Sequence, residues 1–325
     1  MAIETVPRES AARARPLEAF QVVFLIIGLL VLPATLTLHT VRQPGRLEIE
    51  SQNPTPLGYT WSLVLFAVPL AALAWWFVRR RELRLQRKAF WRTLAVLVPG
   101  AFALDLFFGN FFFTFTNSSA TLGIRFPAVG GSIPLEEFAF YLSGFMVVLL
   151  TYIWADEYWM AAYNVPDYAS ATAGLPRIVQ FHWPSLVLGV ALLAAAIVYK
   201  KLFSPSPAGF PWYFTYLVVA SIVPSAGFFR TAQPFINWRA FSFTFFFILL
   251  VSLLWEVTLA VPYGWWGYRP AVMVGLSIGA WWYLPVEAVC VWLAVSFTTV
   301  ISYEVMKIWL AMGKPALEAF FGVEK

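Results

Sequence analysis

Residues 134–152 read PLEEFAFYLSGFMVVLLTY, and residues 285–303 read PVEAVCVWLAVSFTTVISY. Each stretch opens on Pro-x-Glu and continues as an apolar run of the roughly 20 residues needed to cross a bilayer as a helix. A constant offset of 151 residues lays Pro134 on Pro285, Glu136 on Glu287, Thr151 on Ser302 and Tyr152 on Tyr303. The same offset, without a gap, lays Asp105 on Glu256, so each copy carries an acid 31 residues upstream of its Pro-x-Glu glutamate. Allowing a few residues of gap, Trp91-Arg92 also corresponds to Trp238-Arg239. Repetition on this scale is read before any single motif because it sets the architecture.

The rest of the chain agrees with a membrane setting. Its 325 residues are 60% hydrophobic and only 12% charged, with a mean hydropathy of +0.72, whereas an ordinary soluble domain is about 25% charged. Apolar windows near 20–38, 59–78, 93–113, 134–155, 184–201, 212–229, 240–260 and 284–306 predict eight transmembrane helices. Lipid leaves unpaired backbone groups unsatisfied, so the expected fold class is all-α, a polytopic membrane helix bundle. The window at 20–38 is long for a signal-peptide core and lacks a cleavage site, which predicts a retained helix.

The repeat divides the sequence into a tail, extra helix and loop at 1–58, a three-helix unit at 59–155 and a linker with a connecting helix at 156–212. A second three-helix unit at 213–307 and a tail at 308–325 complete it. Three helices plus one connecting helix restore the starting side, so the two units are expected to run parallel about a pseudo-twofold axis along the membrane normal.

The net charge of +5 is explained by topology before any acidic or nucleic-acid partner is invoked. With the N-terminus inside, 16 Lys and Arg fall on the cytoplasmic side and 6 outside. Seven of the 16 lie between Arg79 and Arg92. The positive-inside rule then puts both termini in the cytoplasm of a multi-pass protein of the cell (inner) membrane, in contact with membrane lipid. Cys290 alone makes no intrachain disulfide, and His39 and His182 are too far apart for a metal-ligand cluster, so neither disulfide nor zinc chemistry is expected.

This topology brings the acids to the outer half of the bundle: Asp105 and Glu256 near the ends of their helices, Glu136, Glu137 and Glu287 at helix starts. A lone Pro-x-Glu is an ordinary helix beginning, since Pro lacks the donor that would go unpaired and the carboxylate favours the positive end of the helix dipole. Capping gives no reason for the upstream acids, and an acid near the centre of a spanning helix costs about 2.5–3.5 kcal/mol. In sequence only Arg125 and Arg269 lie close to the motifs on that side. If the units pack face to face, the five acids converge on one cavity where at least one carboxyl carries its proton and can act as a general acid. A structural acid network is the competing reading.

The segments before the two motifs, FFFTFTNSSATLGIRFPAVGGS and VPYGWWGYRPAVMVGLSIGAWWY, are aromatic, glycine-rich and too apolar for free loops. They are expected to re-enter the bundle and line its mouth, with an interfacial aromatic belt as the alternative. Asn117 opens a glycosylation sequon within the first of them.

At these residues the chain resembles the membrane-integral lycopene cyclase domain family, which comprises heterodimeric bacterial carotenoid cyclases and the related domain of fungal bifunctional enzymes. TLGIRFPAVGGSIPLEEFAFYL followed by LLTY resembles the family's first unit, and LPVEAVCVW followed by VISYE its second. Ala288 stands where the second motif of the family has another acid, and Glu256 where an Asp is usual. The resemblance implies a cofactor-independent isomerisation, in which an acid protonates the terminal double bond of lycopene or a related carotenoid or polyprenoid. An internal alkene then attacks the cation and a base removes a proton to leave a ring. It makes Glu136 and Glu137 the leading catalytic residues, then Glu287, with Asp105 and Glu256 as supporting acids. Phe112, Phe115, Arg125, Tyr141, Trp265, Trp266, Tyr268 and Trp292 are the expected substrate-contacting residues. Association with other enzymes of a carotenoid pathway is a further expectation. A proton-coupled transporter or lipid-binding protein also fits repeated units with intramembrane acids, and so does an assembly subunit.

Overall fold

The computed structural model describes residues 56–279, 281 and 283–323. Seven helices among them are long and apolar enough to cross a membrane. The eighth expected helix, at 20–38, falls outside the described residues, as does nearly all of the 1–58 segment.

Helix α1 (Gly58–Arg79) and α2 (Arg84–Phe112) lead through a short strand β1 (Phe113–Thr114) into a hairpin of β2 (Arg125–Ala128) and β3 (Gly131–Pro134). Helix α3 (Leu135–Trp154) follows and is prolonged by a π-helical turn over Ala155–Trp159. After the short helix α4 (Tyr168–Thr172), the connecting helix α5 (Trp183–Leu202) leads to α6 (Trp212–Ala232) and α7 (Trp238–Trp255). A second π-helical turn covers Glu256–Ala260. Strands β4 (Gly267–Tyr268), β5 (Ser277–Ile278) and β6 (Leu284–Pro285) precede α8 (Glu287–Met312) and the terminal helix α9 (Ala316–Phe321).

The repeat is visible in three dimensions. Helices α1 and α2 pack on α3 as α6 and α8, and α7 and α8, pack in the second unit; across the units α2 lies on α8 and α7 on α3, and α5 covers α6. Both α1 and α6 carry an interior proline, Pro69 and Pro224, which spanning helices tolerate when neighbours re-satisfy the freed backbone groups. The two motif helices are central: 61% of the apolar window in α3 and 50% of that in α8 is buried, against 11% for α1 and 17% for α2. Residues related by a twofold operation can touch only beside its axis, and two such pairs do. Tyr152 and Tyr303 meet edge to face at 6.0 Å, and Lys307 reaches Asp156 at 3.4 Å. The axis therefore runs between α3 and α8.

Two helices extend beyond their apolar windows. Helix α2 begins at Arg84 rather than near 93, because the basic stretch that leaves the lipid remains helical. Helix α8 continues past 306 to Met312 and stops at Gly313, whose φ of +65° is the left-handed conformation favoured at a helix C-terminus.

The connections are hairpins over one end of the bundle. The tip of the first, around Arg125–Pro127, is exposed and lines no interior surface, contrary to the expectation for that segment. The two connections also pair with one another: β1 and β4 form an antiparallel clasp with Phe113 opposite Tyr268. Asn117, the sequon residue, donates its side-chain amide to the Tyr263 carbonyl at 2.8 Å across this same contact.

Candidate functional site

The structure divides four of the five acids into two kinds and sets Asp105 behind the second. Glu136 and Glu287, equivalent by the repeat, are both buried and do the same job. Glu136 Oε1 accepts the backbone N–H of Leu122 at 2.7 Å and the hydroxyl of Thr60 at 2.6 Å. Glu287 Oε1 accepts the backbone N–H of Val274 at 2.6 Å. Each first glutamate of Pro-x-Glu thus fastens the connection that precedes its helix by a short hydrogen bond from that connection's backbone. Lys200 at the end of α5, a cation that sequence proximity did not connect with these acids, lies within electrostatic reach of Glu287 and donates to the Pro270 carbonyl at 3.1 Å.

Glu137 and Glu256 are the second kind. They come from different units and line one cavity of about 60 Å³ between α3, α7 and α8. Glu137 Oε1 accepts the Tyr59 hydroxyl at 2.8 Å. Glu256 Oε2 accepts the Tyr268 hydroxyl at 3.1 Å. Burial pushes the Tyr268 phenol well above its ordinary range, followed by the neighbouring Glu256, so Tyr268 meets that carboxyl as a neutral donor. Asp105 stands behind Glu137, within electrostatic reach of it, with its Oδ1 3.4 Å from the Tyr141 hydroxyl. Gly109, one helical turn on, makes room for this carboxylate: a Cβ there would lie 2.5 Å from Asp105 Oδ1 and 2.7 Å from Ile133 Cδ1.

The wall of the cavity is aromatic. Tyr141, Trp266, Tyr268 and Trp292 line it, together with Phe113, Phe140 and Tyr213. Tyr141 and Trp292 occupy equivalent positions in the repeat, one beside Asp105 and the other lining the same cavity as Glu256. The other residues expected at the substrate lie elsewhere. Phe112 packs against Tyr213 and Tyr216 behind the cavity. Phe115 and Trp265 belong to the cluster around Tyr59, where Trp265 stacks on Tyr59 at 5.6 Å. Arg125 is exposed and clamps its own hairpin through Ser132. A rule that counted every aromatic in these segments could not separate lining from backing.

Phe140, Gly144 and Trp292 also line a second, larger cavity of about 360 Å³ between α1, α3 and α7. Phe140 stacks on Trp255 at 5.5 Å and meets Trp292 edge to face at 5.8 Å, so aromatic rings stand at the boundary that the two spaces share. Faces of this kind stabilise positive charge.

A second polar cluster, not expected from the sequence, lies on the axis at the opposite end of the bundle. Lys307 is completely buried and contacts Asp156 at 3.4 Å, Glu304 at 3.4 Å and Glu157 at 3.9 Å. Glu304 accepts the hydroxyls of Tyr152 at 3.0 Å and Tyr168 at 2.6 Å, and Tyr152 in turn accepts the backbone N–H of Asn237 at 3.1 Å. Its signal was present in the repeat, since the offset of 151 that aligns the glutamates also superposes Asp156 on Lys307.

Among the described residues no group of three or more His, Cys, Asp and Glu is arranged to hold a metal ion. Comparison of the chain with models of known families, with curated proteins and with solved structures finds no match.

Proposed function

We propose that this membrane protein catalyses a cofactor-independent, acid-initiated cyclisation of the linear end of lycopene or a related polyprenoid. The observation that carries the reading is that Glu137 and Glu256, one from each unit, face a single aromatic-walled cavity that shares Phe140, Gly144 and Trp292 with a larger apolar one. One carboxyl of this pair delivers a proton to the terminal alkene, and the tertiary cation closes on the internal double bond. The other carboxyl takes up the proton lost in forming the ring alkene, so that the reaction is an isomerisation with no net change in protons or electrons. Tyr59 and Tyr268 hold the two carboxyls in place. Trp266, Trp292 and Phe140 supply the aromatic faces that favour the cation, and an apolar wall keeps out water that would capture it. The resemblance of both Pro-x-Glu units to the lycopene cyclase domain family supports the same chemistry, with Glu256 as a reacting group in place of an acid beside Glu287.

The orientation that accompanies this reading places the Arg79–Arg92 end in the cytoplasm and the two carboxyls in the outer half of the cell membrane. Expression in lycopene-accumulating bacteria, with pigments separated by chromatography, tests the activity. Cyclic products that vanish in both Glu137→Gln and Glu256→Gln are expected; unchanged lycopene beside well-expressed protein would remove the proposal.

A further inference from the structure

The larger cavity has a shape and chemistry that the reaction site alone does not explain. Its floor is one face of α3, its sides are α1 and α7, and these side helices are not among the principal packing partners of each other. Leu65 on α1 and Phe247 on α7 are 69% and 39% exposed, so the space opens on the flank that faces lipid. Its lining on α7 runs from Phe247 to Leu259, a distance of about 18 Å at 1.5 Å per residue. No charged side chain lines it. Two of its three serines have already spent their hydroxyls on their own helices, Ser62 on the Tyr59 carbonyl and Ser143 on the Phe140 carbonyl. Ser252 and the Trp292 indole N–H are what remains for a polar partner, so the groove suits hydrocarbon far better than a charged head.

The inner end of this groove is the boundary formed by Phe140, Gly144 and Trp292, which also line the cavity holding Glu137 and Glu256. The pseudosymmetric position in the other unit is different: Val295 replaces Gly144, and Leu217 and Ala294 are packed into a cluster with Phe112. One flank is therefore open and its counterpart is filled.

We propose that the α1–α3–α7 groove is the binding site for the hydrocarbon tail of a polyprenoid, which enters sideways from the bilayer and passes its end through the Gly144 opening to the carboxyls. This deepens the cyclase reading, on which it rests for what happens at that end, and it implies that one molecular end is held per chain at a time. The absence of a side chain at Gly144 is the specific requirement. A Cβ there would lie 3.9 Å from the Trp292 ring, an ordinary contact, whereas longer side chains would fill the opening.

Binding can be read without turnover. With the photoreactive residue benzoylphenylalanine at position 65, the protein in phosphatidylcholine vesicles is irradiated with squalene as the probe, and adducts are measured by mass spectrometry. Squalene adducts are expected, falling about tenfold or more in Gly144→Leu and in Val251→Trp on the opposite wall. Gly144→Ala and Leu188→Phe, the latter on the exposed face of α5, are expected to retain them. Comparison is limited to variants that keep the parent's chromatographic peak, and two blocking variants on different helices guard against one failing to fold. Adducts with phosphatidylcholine alone, or squalene adducts undiminished in both blocking variants, would overturn the groove. Squalene adducts without any cyclisation of lycopene would leave the groove standing and remove the cyclase reading; cyclisation that survives both blocking variants would do the reverse.

Discussion

Asp156 and Lys307, separated by 151 residues and equivalent by the internal repeat, face each other at 3.4 Å across the axis of the bundle. The two units share one register, and at this pair they have diverged to opposite charge. A single cation serves Asp156, Glu304 and Glu157 with no solvent access of its own. Lys307→Met leaves buried carboxylates uncompensated and is expected to destabilise the protein by about 3–5 kcal/mol. Tyr168→Phe, which removes one hydrogen bond to Glu304, is expected to cost about 1–3 kcal/mol. Reversible unfolding in detergent checks the order of the two.

The proposed reaction gives the neighbours Glu136 and Glu137 separable jobs. Glu137→Gln is expected to lower turnover by about a hundredfold or more with little loss of stability. Glu136→Ala strands the Leu122 N–H and is expected to cost about 1–3 kcal/mol, lowering activity only as far as the folded fraction falls. Glu287→Ala should repeat the second pattern through Val274. Parallel measurements of melting temperature and of turnover per folded molecule distinguish the two; a Glu136→Ala protein that is stable but inactive would reverse the assignment.

Gly109 controls the position of Asp105. The added Cβ of Gly109→Ala collides with the Asp105 carboxylate and Ile133, moving the acid that stands behind Glu137. Displacement of a supporting group on this scale is expected to reduce kcat by about tenfold to a hundredfold with a small change in KM. Gly100→Ala on the same helix, where nothing lies within 4 Å, is the matched control.

The proposed orientation makes its own prediction. A phosphatase reporter active only outside the cytoplasm is expected to be inactive when fused after Met312 and active when inserted at Gly123, in the connection at the carboxyl end of the bundle. The opposite pattern would invert the topology.

The seven described spanning helices were legible because each is an apolar run, and the parallel units because their acids keep one spacing. The same reasoning stopped where charge and apolarity part company. Hydropathy ends a helix at its first charges, so the 134–155 window excluded Asp156 and Glu157, and the 284–306 window excluded Lys307, although these residues meet inside the protein. Likewise, sequence placed Glu136, Glu137 and Glu287 at helix starts but carried no information on rotation about the helix axis. That rotation is what turns Glu137 toward the cavity while Glu136 faces the Leu122 backbone. Tyr59 and Tyr213, which reach the site from the first turns of α1 and α6, look like any interfacial tyrosine until the helices are assembled.

The strand pair that joins Phe113–Thr114 to Gly267–Tyr268 has a mechanical consequence. Together with the ionic cluster on the axis at the far end, it ties one unit to the other at both ends of the bundle. Rocking of one unit against the other, the motion that carriers with repeated units use, would have to break both ties. The proposed route for a membrane-dissolved molecule, through the wall between α1 and α7, leaves both ties intact.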